Sequence, residues 1–62
     1  MHISISDFDI MVQDAVELIM NGNGISESID AIILTNDLTE GERRSMIYFM
    51  AQRGYRYTNR GN

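Results

Sequence analysis

Cysteine, proline and lysine are all absent from this 62-residue sequence. Without cysteine there is no disulfide framework and no thiolate metal site, the usual staples of small domains, so stability has to come from helix packing or from oligomerisation. The absence of proline leaves helices uninterrupted. The absence of lysine makes every positive charge a planar guanidinium, suited to two-pronged contacts with carboxylate or phosphate and to stacking on aromatic rings. Long apolar runs are missing too: none approaches the ~20 residues needed to span a bilayer. The start of the chain, MHISISDFDI, lacks the basic segment and apolar stretch of a secretory signal. The expectation is a soluble protein of a reducing compartment such as the cytoplasm, with no membrane partner.

Chemistry has little material. The one histidine is His2, at the chain end, and there is no cysteine or lysine to serve as nucleophile or base beside a serine. Acid–base catalysis needs two carboxylates in different environments, whereas these acids fall on polar helix faces and at helix starts. The segment NGNGISESID invites comparison with a calcium loop, but Ile25, Ser26 and Ile32 occupy the positions of a ligand, the turn glycine and the closing glutamate. Neither a phosphate loop nor zinc spacing is present. An enzyme, a metal site, a cofactor and a small-molecule substrate are therefore not expected.

What the chain does have is polarity of charge. Its net charge of −4 divides into nine acids, all before Arg43, and five arginines, all after Glu42. Residues 1–42 thus carry −9 and residues 43–62 carry +5. At 44% hydrophobic and 23% charged residues the composition is that of a globular chain, and its length allows one domain with a small core.

Periodicity and caps predict a mainly α, three-helix domain with helices over about 7–20, 27–35 and 40–53. Ser6 is the expected N-cap of the first, where Phe8, Met11, Val12, Ala15, Leu18 and Ile19 recur at three- and four-residue spacing. Asn21–Gly24 stops it. Ser26 is the expected N-cap of the second. Thr39 and Glu42 form a capping box for the third, Glu40 and Arg44 are spaced for an ion pair one turn apart, and Gly54 ends the helix. Ile3 and Ile5, and likewise Tyr55 and Tyr57, alternate with the strand period, which raises a short terminal ribbon of 3–5 with 55–58.

The helices carry more apolar surface than a narrow stripe. On the third, Met46, Ile47, Phe49, Met50 and Ala51 sweep roughly 200° at 100° per residue. Such an excess marks an interface, and Ile10, Val16, Met20, Leu34, Met46 and Met50 are the candidates for self-association, with a homodimer expected. Arg44, Tyr48, Gln52 and Arg56 follow one another at four-residue intervals, and with Tyr55 they are the candidate polar rim of a partner-binding surface. The alternative is a nucleic-acid-binding regulator that uses the same ridge and the tail RGYRYTNRGN, where tyrosines would stack on bases and arginines meet phosphates. Against it, the third helix opens with Glu40 and Glu42, which would face phosphate with like charge. The sequence thus favours a small non-enzymatic protein-binding module: an adaptor, regulator or inhibitor.

Overall fold

The computed structural model describes residues 4–58. Three helices occupy them: α1, Ile5–Met20; α2, Ile25–Thr35; and α3, Glu40–Gln52. The first begins earlier than the position of Ser6 implies. Ser4 and Ser6 each precede an aspartate by three residues, and it is Ser4 that closes the box. Its hydroxyl accepts from the Asp7 N–H at 3.2 Å and its own N–H donates to the Asp7 carboxylate at 3.4 Å. This leaves Asp9 free to act elsewhere.

Ser26 is not a cap either. Gly24 is the N-cap of α2, and it offers no side-chain acceptor. The buried Ser26 hydroxyl instead donates to the Thr58 carbonyl at 3.0 Å and accepts from the Thr58 N–H at 2.9 Å. Ser28, also buried, donates its hydroxyl back to the Gly24 carbonyl at 2.7 Å. The third helix starts as its sequence implies, with the Thr39 hydroxyl accepting from the Glu42 N–H and the Glu42 carboxylate accepting from the Thr39 N–H at 2.8 Å.

All three helices end in the same way. The second residue past each cap donates its N–H back to a carbonyl in the last turn: Asn23 to Leu18, Leu38 to Ile33 and Tyr55 to Met50. That bond requires a left-handed residue in between. Gly22 and Gly54 supply it at two ends, but at the third it is Asp37, at φ 52°. Leu38 and Tyr55 then turn inward and pack against the core.

The core draws on every helix: Met11, Val12 and Ala15 from α1, Ile29 and Ile32 from α2, and Met46 and Met50 from α3. Every buried side-chain N or O atom among the described residues has a hydrogen-bond partner. No described residue forms a strand. The expected ribbon therefore fails on physical grounds: Ile5 is taken up by α1 once Ser4 caps it, and residues 55–58 lie against α2. Ile3 lies outside the described residues. No helix among them is long and apolar enough to cross a membrane.

Candidate interaction face

The start of α1 lies beside the end of α3, with an open groove between them. Ile5, Phe8 and Val12 form one wall, and Phe49 and Gln52 the other, around a cavity of about 150 Å³. Phe8 and Phe49 meet across its floor with ring centroids 5.5 Å apart and planes tilted by 57°. Tyr48 continues the row, edge-on to Phe49 at 5.8 Å. Such tilted pairs suit the ring quadrupoles. At the mouth, the Asp9 carboxylate accepts from the Arg53 guanidinium at 3.1 Å and ties the two helices together.

The groove is open to solvent. Ile5 is 85% exposed and Tyr48 60%, a large outlay of apolar surface for a chain this small. The α1 wall continues at helical spacing through half-buried Val16 to Met20, which is 78% exposed. On α3 the corresponding row is Gly41, Ser45, Tyr48 and Gln52. Arg44 borders that row, exposed, with its guanidinium donating to Glu40 at 3.3 Å. Glu40 is shared with Arg43 at 3.5 Å.

The candidates named from sequence therefore divide. Gln52 lines the groove and Tyr48 stands edge-on beside it, whereas Val16 packs against the core, Met20 is exposed at the far end of α1, and Arg44 is held by Glu40 one turn before Tyr48. Met46 and Met50 do not belong to any exposed face, because both have no solvent exposure and fill the core between helices. Ile10, 59% exposed, lies on a different side of α1, and Leu34, 83% exposed, projects from α2. Tyr55 is half-buried against the core, and Arg56 is exposed. Ile5, Phe8, Phe49 and the Asp9–Arg53 pair were not among the candidates. The wide apolar arcs of α1 and α3 contained that information, but only tertiary packing decides which part of an arc remains uncovered.

A second cluster secures the segment after α3. The Tyr57 hydroxyl donates to the Asp30 carboxylate at 2.8 Å, and the Arg43 guanidinium sits 5.6 Å from the centre of the Tyr57 ring. The hydrogen bond to Asp30, aided by burial and opposed by Arg43, raises the Tyr57 pKa above the ordinary phenol value of 10.0. With Arg53 on Asp9, the arginine- and tyrosine-rich end of the chain makes two of its contacts to carboxylates of its own helices. Arg44, Arg53 and Arg56 are the exposed bases among the described residues, Arg44 engaged with Glu40 and Arg53 with Asp9. No group of three metal-ligating side chains converges among those residues.

No protein-family model matches this sequence, and no curated protein or solved structure matches it.

Proposed function

We propose that this chain is a small non-enzymatic protein-binding module, an adaptor, regulator or inhibitor of a larger protein, which also self-associates. The α1–α3 face is its contact surface. The observation that supports this reading is the aromatic row Phe8, Phe49 and Tyr48, lining an open groove beside the exposed Ile5. A fold this small gains by burying such a surface, and a partner that covers it adds stability by mass action. Aromatic side chains surrounded by polar ones are the usual anchors of protein contacts, and here Arg44, Gln52 and the Asp9–Arg53 pair form the rim.

The test is affinity capture from native cell extract with the immobilised chain and with a Tyr48→Ala, Arg44→Glu variant that keeps the fold by circular dichroism. Partners bound by the parent chain should be lost from the variant. An unchanged set would mean that the contact surface lies elsewhere. Titration with single- and double-stranded oligonucleotides at low salt covers the nucleic-acid alternative, since phosphate contacts strengthen as salt falls. With Arg43 on Tyr57 and Arg53 on Asp9, few bases are left for phosphate, and no binding is expected.

A further inference from the structure

The loop between α1 and α2 contains Asn21, Gly22, Asn23 and Gly24, two asparagine–glycine pairs in succession. In such a pair the glycine amide nitrogen can attack the side-chain amide carbon of the asparagine, because no Cβ shields its approach. A cyclic imide forms and ammonia leaves. Water then opens the ring, either to aspartate or to an isoaspartyl link in which the main chain runs through the side chain. The two pairs are alike in sequence, and all four residues are exposed. The fold makes them unlike.

Attack requires the glycine N–H to give up its proton. At Gly22 that N–H donates to the Ile19 carbonyl at 3.0 Å, within the terminal bonds of α1, and a Cβ built there meets nothing within 4 Å, so no described carboxylate lies on that side. Gly24 differs on both counts. Its N–H donates to no backbone carbonyl among the described residues, and the Glu27 carboxylate occupies the space that a Cβ would fill. Glu27 is the third residue of α2, the position from which Asp7 in α1 and Glu42 in α3 accept the N–H of their own N-cap residue. From there it is placed to take the proton of the Gly24 nitrogen.

We propose that the Asn23–Gly24 pair is a site of self-catalysed deamidation with Glu27 as its base, and that the Asn21–Gly22 pair beside it is protected. Glu27 takes the proton as the Gly24 nitrogen bonds to Cγ of Asn23. The same proton leaves with Nδ2 as ammonia when the Cγ–Nδ2 bond breaks, and water is the only co-reactant. Before the ring closes, Nδ2 has to leave the Leu18 carbonyl, to which it donates at 2.8 Å; the bond is at the surface, where water replaces it at small net cost. The product loosens the turn. Aspartate sets a carboxylate oxygen against the Leu18 carbonyl where a donor stood. The isoaspartyl link adds a methylene to the main chain beside the residue-23 N–H, which donates to that carbonyl at 3.1 Å and closes the end of α1.

Peptide mapping by mass spectrometry tests this, following the conversion of each asparagine with time in neutral buffer. The parent chain and Glu27→Gln are compared, each both folded and unfolded in urea. Glu27 is exposed and glutamine keeps its shape, so the variant should fold, as circular dichroism will show. In the folded parent Asn23 should convert at least about tenfold faster than Asn21, a modest share of what a general base contributes, and Glu27→Gln should remove most of that lead. In urea the two asparagines should convert at similar rates in both chains, because the carboxylate is held against Gly24 only by the helix. Equal conversion in the folded parent, faster conversion at Asn21, or a lead of Asn23 that survives Glu27→Gln overturns the proposal. Asn23→Asp, which reproduces one product, should lower Tm; an unchanged Tm overturns the loosening of the turn.

Discussion

Replacing Ser26 with alanine removes two hydrogen bonds that hold residues 55–58 against α2, the 3.0 Å bond to the Thr58 carbonyl and the 2.9 Å bond from its N–H. An intramolecular hydrogen bond contributes about 0.5–1.5 kcal/mol net. Thr58 is exposed, so its freed backbone groups regain water and the lower half of that range applies. The expected loss is about 1–2 kcal/mol in total. For a domain of this length, with about 3–9 kcal/mol of stability in all, that is a substantial fraction. It corresponds to a fall in Tm of about 4–8 °C per kcal/mol, read by circular dichroism at the helical band. Thr58→Ala should leave Tm unchanged, because Ser26 contacts the backbone of residue 58 and not its side chain. Amide hydrogen exchange makes the test sharper. If Ser26 were only stabilising the start of α2, its loss would lower Tm without selectively exposing one distant amide. The structure requires that the Thr58 N–H lose its protection. A Tm within about 1 °C of the parent, which corresponds to only a few tenths of a kcal/mol, or an unchanged Thr58 exchange rate, would refute the reasoning.

Three further outcomes are expected. The absorbance titration of Tyr57 should give a pKa above 10.0, lowered by Asp30→Asn, which weakens the bond responsible for the shift. Because the folded chain holds this proton more tightly than the unfolded chain, the associated stability is complete below the unfolded pKa and is lost as pH rises through the folded one; Tyr57→Phe should abolish this alkaline loss in thermal melts. Asp37→Gly should raise stability by about 0.5–1 kcal/mol in urea titrations, the left-handed penalty relieved at φ 52° less glycine's backbone entropy. Gly41→Ala should raise stability by about 0.5 kcal/mol of helix propensity at this first-turn position, where a Cβ meets nothing, read as a higher Tm in thermal melts.

Much of the fold is legible from local chemistry. Thr39 with Glu42, Glu40 with Arg44, and Gly54 each act within a turn or two of their neighbours, so spacing alone locates α3 correctly. The errors arise where a residue has two local options and a distant partner decides. Ser4 and Ser6 fit the same box, and the choice of Ser4 leaves Asp9 for Arg53, forty-four positions away. Ser26 looks like a cap until Thr58 takes its hydroxyl. Ile5 and Tyr57 share the alternation of strand residues, but the N-terminal cap draws one into α1 and Asp30 anchors the other. Asp37 gives no warning of its left-handed backbone, because aspartate rarely takes that role when glycine is the usual choice.

The candidate face was legible as an excess and not as a location. The apolar arcs of α1 and α3 exceed what one contact needs, yet period alone treats Met46, Met50, Tyr48 and Phe49 as neighbours of similar standing. Packing separates them: α1 and α2 close over the two methionines, and the two aromatics are left at the groove. Charge followed the same logic. Counting showed acid before Arg43 and base after Glu42, but only the fold pairs Arg53 with Asp9 and sets Arg43 over Tyr57.

The most direct test of that surface is a dilution series of two-dimensional amide NMR spectra of the intact chain, from about 20 µM to about 1 mM, a range that brackets weak association. Concentration-dependent shifts should concentrate at Ile5, Phe8 and Val12 of α1 and at Tyr48, Phe49 and Gln52 of α3, with Leu34 and Asp37 unmoved. Spectra that superimpose throughout, or shifts centred on Leu34 and Ile10, would contradict the account.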